Sequence, residues 1–205
     1  MKLLREENKM KKFELTTETK INICGKKLFR IKALISFGLI IAGEKGGWIE
    51  KEENLSQYGN AWVFGNAEVY DNACVRDNAC VRDNACVRDN ACVRGNACVR
   101  GNACVRGNAC VRGNACVRGN ACVRGNSEVY DNACVRGNVE VRGNACVRGN
   151  AEISGNIEMS GDAEISGNAW VSGKLQLKRD LIRRRKKHDI LKKLPTKCMN
   201  VNDWD

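Results

Sequence analysis

The sequence predicts an all-β protein, a single-stranded left-handed parallel β-helix of about six to seven coils with eighteen residues in each coil. Three observations lead to this prediction. Residues 59–172 consist of nineteen consecutive six-residue units, or hexads, whose commonest form is Gly-Asn-Ala-Cys-Val-Arg. In each hexad the apolar residues of Ala-x-Val alternate with outward residues, which is the period of a β-strand. The flanking Gly or Asp and the Asn readily adopt turn and left-handed conformations.

Each hexad therefore predicts one short strand and one corner, and three hexads close a triangular coil. Each strand then pairs in register with the strand eighteen residues away. The bulky apolar residues Val139, Ile157 and Leu175 are spaced by this interval and are expected in one interior column. Trp62 and Trp170 are 108 residues apart, which is six whole coils, so we expect them on one face at opposite ends. With coils about 4.8 Å apart, the prism is roughly 30 Å long.

The β-helix is assigned to residues 59–178, the last six of which form a degenerate twentieth hexad. Residues 1–9 are a polar extension. Residues 10–58 predict a small β-rich N-terminal cap, which covers the first coil because an exposed strand edge would template aggregation. Within this cap, strands are expected at 13–23 and 28–34.

The C-terminal flank, residues 179–205, predicts a basic helix followed by a disordered tail. Residues 179–194 are rich in helix formers, and Pro195 ends the pattern. An imperfect apolar stripe would allow this helix to lie across the last coil as a closing cap.

The formal net charge of +11 is carried by the flanks. The hexads contain twelve Arg against six Asp and six Glu, whereas residues 1–58 carry +4 and residues 173–205 carry +7. Total composition therefore predicts no basic patch on the β-helix. A run of basic residues in the C-terminal flank is a better candidate for contact with nucleic acid or an anionic surface. The alternative interpretation is that these residues form the solvent-exposed face of the predicted helix. That run is Arg183, Arg184, Arg185, Lys186 and Lys187.

Thirteen cysteines would indicate a disulfide scaffold in a secreted protein. The N-terminus has no apolar stretch of signal-peptide length. The longest apolar-rich stretch, residues 33–42, is shorter than the roughly 20 residues that a membrane-spanning helix needs. We therefore expect a soluble cytoplasmic protein with no transmembrane segment and with reduced thiols.

Specific sequence elements in the cap accompany the Gly-Asn-Ala-x-Val units. They are Lys12-Phe13-Glu14-Leu15, Ile31-Lys32-Ala33-Leu34, Gly46-Gly47-Trp48-Ile49-Glu50 and Glu53-Asn54-Leu55-Ser56. On these elements, the stretch from Met10 to about Gly173 resembles a family of hexapeptide-repeat proteins of phages, prophages and bacterial genomes, including the YdcK-type proteins. The resemblance implies a left-handed β-helix of the kind seen in hexapeptide acyltransferases. The chain departs from the family after Gly173, and its hexads carry eleven Cys at a position that relatives vary.

The resemblance also raises the hypothesis of an acetyl-CoA-dependent acyltransferase. In such enzymes a His on the β-helix usually acts as general base, and acyl-CoA generally binds between neighbouring subunits. The only His of this chain is His188, in the basic flank, and no insertion interrupts the hexads to form a substrate loop. The sequence therefore favours a protein without a catalytic residue, and we assign no cofactor-binding or metal-binding residue.

The cysteines and arginines of the hexads recur at the coil spacing, so they are expected to form columns. Thiols in a column could bind soft metals or pair as disulfides, and arginines could contact phosphates. The alternative is that both are tolerated outward residues, copied as the repeat expanded. Residues 68–76 recur at 128–136, sixty residues later, which is ten hexads but not a whole number of coils. The two copies therefore lie on different faces, which indicates that the repeat expanded without regard to the face on which a residue falls. We favour the interpretation that the cysteines and arginines are tolerated outward residues.

Three functions thus follow from the sequence. The favoured one is a non-catalytic structural or interaction protein of phage or prophage type, capable of self-association. The second is an acyltransferase-like enzyme. The third is an accessory protein that binds nucleic acid through the basic tail.

Overall fold

The structure is a computed structural model that describes residues 11–178 and the backbone of residues 181–184. It is an all-β protein built as a parallel β-solenoid of about seven coils, and the coils repeat every eighteen residues. The predicted fold class and coil length are confirmed, while the left-handed sense of the coil stays a prediction. The polar extension at residues 1–9 lies outside the described residues.

Three longer strands and one short turn form the cap, followed by the strands of the coils. The cap contains β1 (Phe13–Ile21), β2 (Lys27–Ala33), β3 (Lys45–Ile49) and a 3-10 turn at Glu52–Asn54. The coil strands are β4 (Trp62–Val63), β5 (Glu68–Val69), β6 (Cys74–Val75), β7 (Cys80–Val81), β8 (Cys86–Val87), β9 (Cys92–Val93), β10 (Cys98–Val99), β11 (Cys104–Val105), β12 (Cys110–Val111), β13 (Cys116–Gly119), β14 (Cys122–Val123), β15 (Glu128–Val129), β16 (Cys134–Gly137), β17 (Glu140–Val141), β18 (Cys146–Val147), β19 (Glu152–Met159), β20 (Glu164–Gly167), β21 (Trp170–Leu177) and β22 (Leu181–Arg184).

The coil strands stack into three faces, each with strands at seven levels. Face 1 runs β4-β7-β10-β13-β16-β19-β21. Face 2 runs β5-β8-β11-β14-β17 and continues into the second halves of β19 and β21, and face 3 runs β6-β9-β12-β15-β18-β20-β22. Trp62 starts face 1 and Trp170 ends it, so the prediction that they share a face is confirmed.

The interior is filled by the Ala and Val of the hexads, nearly all of them completely buried. They form one continuous apolar core that extends from Phe13 in the cap to Leu177 in β21. Each buried Val contributes about 1.5–3 kcal/mol relative to its exposed state, so the repeated pattern supplies stability along the whole rod. The predicted bulky column is confirmed, because Ile157 pairs with Leu175 and Glu140 pairs with Glu158, which sets Val139 level with Ile157.

The corners require a left-handed backbone, which explains why the first residue of each hexad is Gly or Asp. Gly119 has a φ of +75°, and a Cβ placed there would lie 3.0 Å from the backbone N of Gly137 in the next coil. Five corners nevertheless carry Asp at φ between 57° and 65°: Asp71, Asp77, Asp83, Asp89 and Asp131. Asp is one of the few non-Gly residues that visit this conformation routinely.

The cap continues face 2 beyond the first coil. β3 pairs in parallel with β5, and β2 and β1 extend the sheet in antiparallel pairing. The two strands predicted in the cap are present as β1 and β2. In β3, Gly47 fits closely, because a Cβ there would lie 2.6 Å from Cγ1 of Val63.

The predicted C-terminal helix is wrong where the structure describes it. Leu181–Arg184 is a strand, β22, which pairs in parallel with Glu164–Gly167 at a spacing of seventeen residues instead of eighteen. The last coil presents free backbone donors and acceptors, and pairing with them outweighs the marginal stability of a short isolated helix. The rest of the predicted helix and the predicted disordered tail lie outside the described residues.

Within residues 11–178 and 181–184, no helix has the length and apolar character needed to cross a lipid bilayer.

Candidate functional site

The candidate site is the outer surface of the hexads, where positions 4 and 6 of each unit flank the buried Val. Position 4 is most often Cys or Glu, and position 6 is most often Arg. Because each coil has eighteen residues, position 4 of one coil stacks on position 4 of the next. Position 6 reaches position 4 of the next coil, sixteen residues later.

Ten cysteines stack at position 4 into three groups, which we call the thiol columns. They lie in register on neighbouring parallel strands, as shown by the pairs Cys98–Cys116 and Cys92–Cys110. All are free thiols and half-buried. The columns are Cys80, Cys98, Cys116 and Cys134 on face 1, Cys86, Cys104 and Cys122 on face 2, and Cys74, Cys92 and Cys110 on face 3.

Hydrogen bonds between neighbouring thiols set the acidity of the columns. A hydrogen bond with Cys92 lowers the pKa of Cys74 to about 6, and nearby arginines add to the effect. Cys92 also lowers the pKa of Cys110 to about 6. The pKa of Cys92 itself is raised, because it lies between these two thiols and is partly desolvated. In the face 3 column, the pKa of the central thiol is therefore raised and the pKa values of its two neighbours are lowered.

Arginines at position 6 lie beside some of the thiols. Arg76 Nη2 donates a hydrogen bond to Cys74 Sγ at 3.0 Å. One coil further on, Arg94 hydrogen-bonds to Cys110 and lowers its pKa further. A guanidinium beside a thiol favours the charged thiolate form, which is the nucleophilic form of cysteine.

Where position 4 is Glu, the arginine of the preceding coil forms an ion pair instead. Arg112 Nη2 lies 3.2 Å from Glu128 Oε2, and Arg148 Nε lies 2.6 Å from Glu164 Oε1. The other pairs of this kind are Arg124–Glu140, Arg136–Glu152 and Arg142–Glu158. The glutamates of all five pairs lie in the C-terminal half of the rod, since Glu replaces Cys mainly there.

Charge is therefore segregated along the rod, although the hexads are neutral in total. Residues 90–127 contain six Arg and no acidic residue. These arginines, which we call the arginine belt, occupy two levels of all three faces: Arg94, Arg100, Arg106, Arg112, Arg118 and Arg124. Arg112 and Arg124 pair with glutamates at the edge of the belt, but the other four form no ion pair within the described part of the chain. Total composition concealed this belt, and only counting charge coil by coil would have found it.

Asparagines and aspartates lock the corners. The Asn of most hexads donates to the Asn of the next coil, as from Asn102 Nδ2 to Asn120 Oδ1 at 3.1 Å. The corner aspartates accept hydrogen bonds from the backbone of the next coil, as Asp77 Oδ2 does from the N–H of Gly95 at 2.9 Å. Polar groups at the corners thus bond mainly to one another.

Two aromatic side chains at outward positions are buried against the cap, which the sequence pattern did not reveal. Trp62 occupies position 4 of the first hexad but is only 1% exposed, and its ring meets the rings of Phe13 and Phe37. Tyr70, at position 6, is 3% exposed, and its hydroxyl lies 3.6 Å from Cys24 Sγ and 3.5 Å from Cys86 Sγ. No periodicity signals this burial, because the cap creates it.

The residues predicted for anion contact are only partly placed. Arg183 and Arg184 belong to the backbone of β22, whereas Arg185, Lys186, Lys187 and His188 lie outside the described residues. Among the described residues, no group of three or more His, Cys, Asp and Glu side chains is arranged to hold a metal ion. A shallow depression of about 400 Å³ lies along one corner and is lined by Arg124, Gly125, Arg142, Gly143, Ser160 and Gly161.

Comparison with known proteins adds no identification. The chain matches no model of a known protein family and none of the curated proteins with which it was compared.

Proposed function

We propose that the protein is a non-catalytic structural and interaction module of the phage or prophage type that the resemblance of its hexads implies. The observation that supports this role is the mutual bonding of its outward polar groups. Asparagine bonds to asparagine, aspartate to backbone N–H groups, and arginine to glutamate, in each case between neighbouring coils. Such a surface maintains a fixed shape.

The interior supports the same role. One apolar core extends without interruption from the cap to β21, and neighbouring coils are joined at every level by backbone hydrogen bonds such as Cys98 N–H to Ala115 O at 2.9 Å. Seven levels spaced by about 4.8 Å give a rod roughly 30 Å long. A rod of this kind holds its two ends at a fixed separation.

The experiment that tests the proposal is binding and turnover of acetyl-CoA, which an acyltransferase requires. We expect isothermal titration of the full chain with acetyl-CoA to show no saturable binding, and a thiol-release assay with hydroxyl and amine acceptors to show no turnover. Saturable binding accompanied by turnover would replace the structural role with the enzymatic one. Sedimentation of the same sample measures self-association, which the interaction role predicts.

A second function, binding of a polyanion such as nucleic acid, is favoured by the arginine belt. Within the part of the chain that the structure describes, four of its arginines form no ion pair with Asp or Glu. Arginine contacts to phosphates account for much of non-specific nucleic-acid binding. The test is fluorescence anisotropy with duplex DNA at two salt concentrations. Replacing Arg100 and Arg118 by Gln should weaken binding on the order of tenfold and flatten its salt dependence.

Matched controls separate the belt from the tail. Arg136→Gln lies in the same column as Arg118 but removes an arginine already paired with Glu152, so it should change binding little. Replacing residues 183–187 by Gln in the full chain tests the tail alone. If only this last variant loses binding, the tail carries the function and the belt does not.

A further inference from the structure

The thiol columns place cysteines at a spacing suited to covalent linkage. Neighbouring members are Cα partners on adjacent parallel strands, as for Cys98 and Cys116 or Cys86 and Cys104. Adjacent strands are about 4.8 Å apart, within the Cα separation of about 4.4–6.8 Å found in disulfides. Cysteines of different columns lie on different faces, with the buried Ala and Val core between them. Linkage is therefore available along a column and not between columns.

The columns also provide the chemical form that reacts. Cys74 is in register with Cys92 on the next coil, and Arg76 Nη2 donates to Cys74 Sγ at 3.0 Å, which favours the thiolate form of Cys74 beside a second thiol. All ten cysteines are half-buried, so each retains access to a small solute. A thiolate beside a second thiol is the arrangement from which oxidation proceeds to a disulfide.

We propose that the thiol columns are oxidation sites at which a hydroperoxide converts neighbouring cysteines on successive coils into intercoil disulfides. One thiolate attacks a peroxide oxygen and the O–O bond breaks, which forms a sulfenic acid; with hydrogen peroxide, the hydroxide that leaves takes up the proton that the thiol lost on ionising and becomes water. The neighbouring thiol then attacks that sulfur, the S–S bond forms, and a second water leaves. The two thiols together lose two electrons and two protons, and the peroxide accepts them. This inference does not depend on the proposed structural function.

The number of thiols in each column fixes the number of bridges. The column of four forms two disulfides, and each column of three forms one disulfide and retains one thiol. This remaining thiol lies in line with the bridge beside it and can exchange with it by attack on the nearer sulfur. Cys146 is flanked in its column by Glu128 and Glu164, so it has no cysteine partner. Complete oxidation within the columns therefore forms four disulfides and leaves five of the thirteen cysteines outside these bridges; Cys24 and Cys198, which are not part of the hexads, are two of the five.

The first test counts thiols in the full chain. The reduced protein is treated with increasing hydrogen peroxide, then denatured and alkylated, and its intact mass is measured before and after reduction. We expect five alkylated thiols in the oxidised monomer and thirteen after reduction. Retention of all thirteen, or addition of oxygen without reducible bridges, would overturn the proposal.

The second test uses two-cysteine variants, because the hexads give identical tryptic peptides that cannot assign bridges. In one variant every Cys except Cys80 and Cys98, which are in register on face 1, is replaced by Ser. In the control only Cys98 and Cys104 are kept, which lie on faces 1 and 2. Circular dichroism first verifies that both variants are folded. We expect the same-column pair to form an intramolecular disulfide at least on the order of tenfold faster; equal rates would contradict the column geometry.

Discussion

Phe13 and Trp62 meet edge to face, with ring centroids 6.2 Å apart and an interplanar angle of 72°. Trp62 is the first residue of a column that ends at Trp170, so the same position occurs in two environments. The cap buries Trp62 completely, whereas Trp170 is 38% exposed. Comparing substitutions at Trp62 and Trp170 therefore measures how much packing against the cap contributes to the stability of the rod.

Replacing Trp62 by Ala should destabilise the protein by about 3–5 kcal/mol, because it leaves a cavity between the cap and the first coil. Trp170→Ala is the matched control and should cost about 1 kcal/mol or less, since its side chain is already partly in water. Guanidinium unfolding followed by circular dichroism measures both changes. Similar losses for the two variants would show that the cap does not pack on the rod as described.

Lys12 should give the stability of the cap a distinctive pH dependence. Its Nζ is buried and donates to Ala61 O at 2.9 Å, and burial lowers the pKa of Lys12 to about 8. Between pH 8 and 10.5 the unfolded chain binds this proton more strongly, so stability should rise with pH through that window. Below pH 8 the penalty for burying the charge is fully present.

The measurement is the free energy of unfolding as a function of pH for the parent protein and for Lys12→Met. The variant should lose the rise between pH 8 and 10.5. Lys45→Met, at an exposed site of the same cap, should retain it. A rise that persists in Lys12→Met would assign the dependence to another group.

Corner geometry predicts an order of stability at Gly119 that differs from the usual preference for small residues. Gly119→Ala should cost about 1–2 kcal/mol, because the backbone there is left-handed and the new Cβ approaches Gly137. Gly119→Asp should cost about 1 kcal/mol less, since its carboxylate can accept the N–H of Gly137. Asp83 already does this with the N–H of Gly101 at 2.9 Å. Thermal unfolding of the two variants decides the order, and a less stable Asp variant would refute the bonding argument.

In the asparagine columns, the effect of an Asn-to-Asp or Asp-to-Asn substitution on stability should depend on whether the side chain donates a hydrogen bond to the next coil. Asn108 accepts from Asn90 and donates to Asn126, whereas Asp162 only accepts, from Asn144. Asn108→Asp removes a donor and turns a carboxylate towards the Asn126 carbonyl oxygen, at a cost of about 1 kcal/mol. Asp162→Asn preserves the acceptor and should change stability by less than about 0.5 kcal/mol. Urea unfolding measures both, and equal effects would show that the direction of the hydrogen bonds is unimportant.

The coil was predictable because its determinants are local and repeated. The Ala and Val of every hexad occupy the same phase, and residues such as Val139 and Ile157 report the coil length through their spacing. The contact between Arg112 and Glu128 also follows from an eighteen-residue coil, since a spacing of sixteen residues joins position 6 to position 4 of the next level. Part of the candidate site could therefore be derived from spacing alone.

The features that were not predicted depend on pairing between distant parts of the chain. Burial of Trp62 and Tyr70 depends on where the cap folds, which their own hexads do not encode. Leu181–Arg184 has a composition typical of a helix, but the open edge at Glu164–Gly167 supplies backbone partners that no local pattern reveals. The charge of the arginine belt does not appear in the composition of the nineteen hexads, because acidic residues on either side of the belt balance it.

Tyr70 and Tyr130 belong to copies of one motif, yet Tyr70 follows β5 on face 2 and Tyr130 follows β15 on face 3. Each inserted hexad advances the chain by one third of a revolution and by about 1.6 Å. Gain or loss of one hexad therefore rotates all residues that follow it about the rod axis and also shifts them along that axis. Gain or loss of three hexads, which is one whole coil, changes the length of the rod but preserves the direction in which the C-terminal segment points. Variants of this protein that differ by one or two hexads would present that segment in a different direction.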